Sequence, residues 1–309
     1  MPEIVFLLGD VAEARNDNHE RLPAAFRAAG WQVTSLPHDA VRMHQGRIQL
    51  GDHDPQRFQL IWLVGFGPAA SFLDRMQLLR MVDQQRFVNA VDPLIHLHAK
   101  SSWASRMPET YVSNDPRFLG DIVDAGGDWV AKPTAGSFGR EVWRLSRGPS
   151  GRQLLTRLIG DAGRYCMLQR FLPGIDAGEK RSLVAGGRVI GTYLRRPGAL
   201  SDAQSELAGQ RTPRAAPEPD FRANLAAGGA AEPESLTDAE RRLVEDIAAE
   251  LDDAGIGFAA VDILYPYLME VNLANPGGLG TMAALYGTDL TPVVVDAVVT
   301  RRGGPIGAQ

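Results

Sequence analysis

The stretch VDILYPYLMEVNLANPGG, Val261 to Gly278, reads as two apolar runs folded back on each other about Tyr265-Pro266-Tyr267. Each run carries one acid, Asp262 in the first and Glu270 in the second. A buried, unpaired carboxylate is strongly unfavourable, so these acids are expected either to meet cations or to hold a metal. If the runs pair as a hairpin, Asp262 and Glu270 lie near each other across the ladder. Glu270 and Asn272, two apart on one strand, then share a face. Two carboxylates and an amide oxygen form a hard-oxygen set suited to Mg²⁺, which keeps its other positions for water and phosphate. On that reading, removing one acid relieves repulsion and leaves the fold intact. The alternative is a pair of carboxylates on the polar face of a half-exposed sheet.

Upstream, KRSLVAGGRVIGTYLRR repeats the hairpin pattern with a Gly-Gly turn, so the chain beyond about Asp92 is expected to be α+β with antiparallel sheets. HAKSSWASRM reads as a helix, and so does SLTDAERRLVEDIAAELDDAG. The second is capped by Thr237 or Ser235, turns Leu243, Ile247 and Leu251 to the core, and stops at Gly255. Before Asp92 the texture is different. EIVFLL, WQVTSL, FQLIWLVGFG and RFVNA read as strands alternating with helical stretches, the pattern of an open α/β domain with a largely parallel sheet. GFGPAA does not fit G-x-G-x-x-G and reads as a strand-to-helix turn. Residues 197–220 have no periodicity and are rich in Pro, Ala and charge, which predicts a long mobile loop, either a lid or a disordered segment.

The 309 residues are 44% hydrophobic and 22% charged, with a net charge of −5. That balance gives no basis for binding nucleic acid or an anionic membrane. No apolar run approaches the roughly 20 residues of a membrane span, and MPEIVFLLGD is not expected to act as a signal peptide. The single cysteine, Cys166, reads as core packing, and a cytoplasmic location is expected. His96 and His98 have a metal-like spacing but no third ligand, and read as structural.

Of the 32 basic residues only Lys100, Lys132 and Lys180 are lysines. In so arginine-rich a chain, a retained lysine points to a need for a compact point charge. Lys132 leads into TAGSFGRE, where Gly136, Ser137, Phe138 and Gly139 make a flexible loop whose N–H groups can cradle phosphate. Such a loop is also a common connector between strands. Lys180 lies beside Arg181, and FRANLAAGG adds Arg222, Asn224 and two more glycines. Three phosphate-type clusters and a carboxylate cluster suggest a nucleotide and its metal.

The order of these pieces resembles the ATP-grasp ligases, and within them the bacterial type of glutathione synthetase. The resembling segments are MPETYV, AKPTAGSFGREVWR, RYCMLQRFLPGIDAGEKRSLVAGG, RANLAAGGAAEPESLTD and GIGFAAVDIL…LMEVN. They run from about Asn89 to the C-terminus; the first 88 residues share only the general layout. The resemblance implies an N-terminal open α/β substrate domain over residues 1–118. An ATP-grasp fold over 119–309 would follow, its antiparallel sheets sandwiching the nucleotide, with subdomains 119–195 and 196–309. It implies ATP as the nucleotide and Mg²⁺, or Mn²⁺ in its place, as the metal.

The same resemblance implies residue roles. Lys100 and Lys132 would hold the α and β phosphates, and the Gly136–Gly139 loop would close over them. Gln169, Arg170, Phe171 and Leu172 would form the hinge that reads the adenine edge, and Glu179 would take the ribose hydroxyls. Asp262, Glu270 and Asn272 would be the metal ligands. Arg181 and Arg222 would face the γ-phosphoryl group and the acyl carboxylate, with Asn224 assisting.

The implied reaction makes an amide from a small-molecule carboxylate and an amine through an acyl phosphate. The first substrates to consider are γ-glutamylcysteine and glycine. The implied assembly is a homo-oligomer, a dimer or tetramer. Other acyl and amine pairs, or a non-catalytic nucleotide-binding role, are the alternatives. Three departures bear on substrate, one being that the insert at 197–220 is longer than the resemblance predicts. The family's Arg-x-Asp-Pro-Pro-like element after its third strand is replaced here by LVGFGPAASFLDR. In place of a Ser/Thr-Pro-Thr run stands LANPGGLGT, whose Asn275, Gly277 and Gly278 resemble the carboxylate-receiving turn of other ATP-grasp peptide ligases.

Overall fold

A computed structural model of the chain describes residues 1–9, 16–134, 142–197 and 229–301. The N-terminal part is built on a parallel three-stranded sheet in the order β2-β1-β5, from β1 (Glu3–Leu8), β2 (Gln32–Pro37) and β5 (Leu60–Val64). Helices α1 (Asn18–Ala28), α2 (Phe72–Arg80) and α3 (Val91–His98) accompany it. Between β2 and β5 stands a hairpin of β3 (Val41–His44) and β4 (Arg47–Leu50), absent from the sequence reading. Its two-residue turn puts Gln45 and Gly46 at φ 50° and 79°, the left-handed conformation that a tight hairpin demands. RFVNA is not a strand. Phe87 and Asn89 each make a single bridge, to Ile61 and Ile256.

Asn89 has other work. Its buried amide donates to the Phe258 and Leu273 carbonyls at 2.8 and 2.9 Å and accepts from the Gly257 and Phe258 amides at 2.9 Å. One side chain thereby bolts the N-terminal part to Gly257, Phe258 and Leu273, with no buried polar atom of its amide unmet. Phe258, whose backbone Asn89 holds, also joins an aromatic cluster with Phe6, Phe26 and Trp62, the touching rings having centroids 5.7 to 6.0 Å apart.

Two antiparallel sheets follow. The first, in the order β6-β9-β7-β8, contains β6 (Thr110–Ser113), β7 (Trp129–Pro133), β8 (Trp143–Leu145) and β9 (Cys166–Arg170). Helices α4 (Pro116–Ala125) and α5 (Pro149–Ile159) cover the face formed by Trp129, Ala131, Cys166 and Leu168. Lys132 and Gln169, at the alternate positions, face the other way. Because β6 belongs to this sheet, the expected division at 118 falls beyond the sheet's first strand.

The second sheet runs β12-β11-β10-β13-β14, from β10 (Glu179–Ala185), β11 (Arg188–Arg196), β12 (Ala230–Pro233), β13 (Phe258–Leu264) and β14 (Tyr267–Asn272). It takes strands from both sides of residue 196, so the expected subdomain line there cuts a continuous sheet. Helix α6 (Asp238–Asp253) packs Val244, Ile247 and Leu251 on one face, against Val184, Val261, Ile263 and Leu268. The opposite face changes character along its length. Phe258 and Ala260 on β13, Leu183 and Ala185 on β10, and Tyr193 on β11 pack on α7 (Leu279–Tyr286) and α8 (Thr291–Arg301). Further along the same strands the face becomes Asp262, Arg181, Glu179 and Arg195.

Candidate active site

The register of β13 and β14 explains how two acids in apolar runs come to face each other. Leu268 and Val271 both enter the core beneath α6, yet they stand three apart, which strict alternation forbids. A bulge resolves the conflict. Ile263 pairs with Leu268 but Asp262 pairs with Glu270, leaving Met269 as the extra residue. Directly opposite positions on an antiparallel ladder present both side chains on one face, and Asn272, two beyond Glu270, joins them.

Arg181 lies directly opposite Asp262 on the other side, across β10 and β13. Its Nε and Nη2 donate to the two oxygens of Asp262 at 2.7 and 2.6 Å, a bidentate pair. Arg195 donates to the same carboxylate at 2.7 Å and also holds Glu179. The sequence does not single out Arg195, which reads there as one more arginine of an arginine-rich chain. Burial opposes the charge on Arg181, but the Asp262 carboxylate more than offsets this and holds the guanidinium above its ordinary range. Burial pushes the Glu179 carboxyl upward, with Arg195 opposing. Gly178 allows this approach, since a Cβ there would sit 2.6 Å from the Arg195 carbonyl.

Glu270 takes its partner from elsewhere. Lys100, in the short 3₁₀ segment Lys100–Arg106 after α3, donates to Glu270 Oε1 at 2.8 Å. Burial would raise the Glu270 carboxyl, but Lys100, with Arg181 and Lys132, brings it down to about 2. On the facing sheet Lys132 donates to Gln169 Oε1 at 2.9 Å, and the Gln169 amide donates to Thr110 at 2.9 Å. Burial, and then repulsion from Lys100, lower the Lys132 ammonium to about 8 despite the pull of Glu270 and Glu179. Lys132 thus lies within electrostatic reach of Lys100, Glu270 and Glu179.

Several expected residues are therefore together: Lys100, Lys132, Gln169, Glu179, Arg181, Asp262, Glu270 and Asn272. Gln169 joins through its side chain. The Arg170 and Phe171 amides donate to the Glu109 and Asp128 carbonyls, both at 2.9 Å, and Leu172 alone of the four expected hinge residues keeps an amide without a partner among the described residues. Gly136, Ser137, Phe138, Gly139, Arg222 and Asn224, and nearly all of the expected 197–220 loop, lie outside the described residues. Lys180 points away from the site. It alternates with Arg181, donating to Glu240 and to the Ser235 carbonyl, both at 2.8 Å.

The turn Asn275–Gly278 touches the site through Arg181, whose Nη1 donates to the Gly277 carbonyl at 3.3 Å. The N-terminal part grips the same turn. Asn18 donates to Asn275 Oδ1 and the Pro276 carbonyl at 2.8 and 2.9 Å, and Asn16 to the Asn275 carbonyl at 3.3 Å. Nothing in the sequence marked Asn16 or Asn18, because their partners lie more than 250 residues away and the contacts exist only once the two parts dock.

The donor set fits a hard divalent cation. Among the described residues no three His, Cys, Asp or Glu cluster as a metal group; there are two opposed carboxylates and an amide. Such a set leaves several positions for ligand oxygens, as Mg²⁺ with bound phosphate requires. Glu270 Oε2 has no protein partner among the described residues, whereas both oxygens of Asp262 already accept guanidinium N–H groups. Each of those oxygens has a second lone pair to offer.

Two antiparallel sheets with a lysine–carboxylate cluster between them, following a parallel α/β part, define an ATP-grasp fold. Solved structures share it over nearly the whole chain. A D-cycloserine synthetase matches with a TM-score of 0.67 at 17% identity, covering 97% of this chain and 99% of that one. A macrocyclase from Microcystis aeruginosa, bound with its precursor peptide, matches at 0.63 and 16% identity, covering 97% and 100%. The family model described as the ATP-grasp domain of prokaryotic glutathione synthetase matches residues 97–287, more than half the chain, and the chain belongs to that family. The family uses ATP and Mg²⁺. The glutathione synthetase of Xanthomonas campestris is 32% identical over 193 residues, 62% of this chain and 55% of that protein. That of Escherichia coli is 29% identical over 203 residues, 65% and 58%. The chain thus matches less than two thirds of the length of these relatives.

Proposed function

We propose that the chain is an ATP- and Mg²⁺-dependent carboxylate–amine ligase that forms an amide through an acyl phosphate. The observation that carries this reading is the Lys100–Glu270 ion pair, with Lys132 of the other sheet within electrostatic reach of both. It sets point charges for phosphate against a carboxylate that stays ionised.

In this reading Lys100 and Lys132 bind the α and β phosphates, and the Leu172 amide meets the adenine edge. Asp262, Glu270 and Asn272 would hold Mg²⁺, which supplies charge neutralisation at phosphate oxygens. A carboxylate oxygen of the acyl substrate attacks the γ-phosphorus and ADP departs. The amine then attacks the acyl carbon, and phosphate leaves with the oxygen it gained. Arg181, fixed by its bidentate bond to Asp262, is proposed to stabilise the charge that develops on the carbonyl oxygen. Arg222 and Asn224 are proposed to assist it, and the 136–139 loop to cover the phosphates. Asn275, Gly277 and Gly278 are proposed to receive a substrate carboxylate.

For substrates, γ-glutamylcysteine and glycine are the first pair to test. One observation favours a different acyl partner. Arg75 is the only cation in the GFGPAASFLDR element, and it is turned into its own loop, bonding the Phe66 and Pro68 carbonyls and Ser71. That element therefore offers no free cation to a substrate carboxylate.

The test is ADP release by purified protein with ATP and Mg²⁺ across a panel pairing γ-glutamyl dipeptides and amino acids with glycine and other amines. Release that requires both an acyl and an amine compound supports the ligase. Binding of ATP without turnover on any pair would favour a nucleotide-binding regulatory role.

A further inference from the structure

His98 ends α3, two residues before Lys100, and its ring makes two contacts that fix it. The Phe66 ring packs edge-on with centroids 4.8 Å apart, and Nδ1 accepts the Leu273 amide at 3.3 Å. A backbone N–H can only donate, so Nδ1 carries the lone pair and the ring proton sits on Nε2. Among the described residues nothing accepts that Nε2–H. The ring lies within electrostatic reach of Glu270 and Lys100. A protonated Nε2 cannot ligate a metal, but it can donate to an anionic oxygen.

We infer that His98 contacts the substrate: its Nε2–H donates to a phosphate oxygen of the bound nucleotide while the Leu273 amide, through Nδ1, aims the ring. This inference rests on the ligase reading above. It also gives the Phe66 loop a purpose, since that loop braces the ring and its Gly65 amide binds the Ala274 carbonyl at 2.8 Å, next to Leu273.

Two substitutions separate donation from bracing. His98→Asn keeps an acceptor near the place of Nδ1 and removes the Nε2–H. His98→Gln keeps an N–H near the place of Nε2 and removes the acceptor. Binding of the non-hydrolysable analogue AMP-PNP with Mg²⁺ is measured by calorimetry, alongside adenosine, which has no phosphate. A charge-assisted hydrogen bond of this kind predicts about a tenfold loss of AMP-PNP affinity in His98→Asn. Adenosine affinity and the urea midpoint should stay unchanged, and His98→Gln should keep most of its AMP-PNP affinity. Wild-type AMP-PNP affinity in His98→Asn would overturn the inference, as would equal losses of affinity and stability in both variants. If the wild type itself fails to bind Mg²⁺·AMP-PNP, the ligase reading falls and this inference falls with it.

Discussion

Arg181 and Asp262 face each other across adjacent strands and are joined by two hydrogen bonds of 2.7 and 2.6 Å, with Arg195 on the same carboxylate. The Asp262 side chain is 1% exposed and that of Arg181 10%. Asp262 is thus part of a buried ion network as well as a candidate metal ligand, which changes what its removal does. The sequence alone predicts that losing one acid relieves repulsion. The network predicts that Asp262→Asn leaves a buried guanidinium short of charge, costing about 3–5 kcal/mol. Urea unfolding checks this; an unchanged midpoint would contradict it.

Glu270 gives a pH signature. Its carboxyl ionises at about 2 in the fold, below the ordinary 4.5. The unfolded chain takes up the proton first as pH falls, so this contribution is whole above about pH 4.5 and drains away toward pH 2. Its size is on the order of 3 kcal/mol. Glu270→Gln should be less stable at pH 7 and should lose stability less steeply over that acid window. Parallel stability curves for mutant and wild type would rule out the Lys100 pairing as their source.

Lys132 predicts proton uptake. With its ammonium at about 8, it is half neutral near pH 8 in the free protein. A bound phosphate favours the charged form, so Mg²⁺·AMP-PNP binding at pH 8 should take up ~0.5 proton and at pH 6 almost none. Calorimetry in buffers of different ionisation enthalpy measures this. Lys132→Met should abolish the difference; uptake that persists in that variant would assign it elsewhere.

Lys180 should matter for stability and not for nucleotide. It binds Glu240, which forms a capping box with Thr237 at the start of α6. Lys180→Met is expected to cost about 1–2 kcal/mol and Thr237→Ala about 1 kcal/mol. AMP-PNP affinity should be unchanged in both. A weakened affinity in Lys180→Met with normal stability would place the lysine in the site after all.

What could be read in the sequence was what alternation and spacing carry. The β13–β14 hairpin, the Gly186–Gly187 turn, the helix after Thr237 and the pairing of Glu270 with Asn272 on one face all follow from local pattern. The three lysines stood out because the chain otherwise uses arginine. Three kinds of feature stayed hidden. Arg195 looks like any of the chain's arginines until the register sets it beside Glu179. The 3₁₀ segment Lys100–Arg106 has enough periodicity to pass for an α-helix. Asn18, Asn89 and His98 act through partners distant in sequence, and no local pattern reports such contacts. The bulge at Met269 was legible in principle, in the three-residue spacing of Leu268 and Val271, but only to a reader who already knew which face was core.

On the ligase reading, ATP activates a carboxylate as an acyl phosphate before an amine displaces it. Transfer of oxygen isotope reports on that step, using whichever acyl and amine pair supports ADP release. With the acyl carboxylate labelled with heavy oxygen, one labelled oxygen should appear in each phosphate released, because phosphate leaves with the oxygen through which it was attached. Amide formation with unlabelled phosphate would mean that the carboxylate is never phosphorylated, and would rule out an acyl phosphate in this reaction.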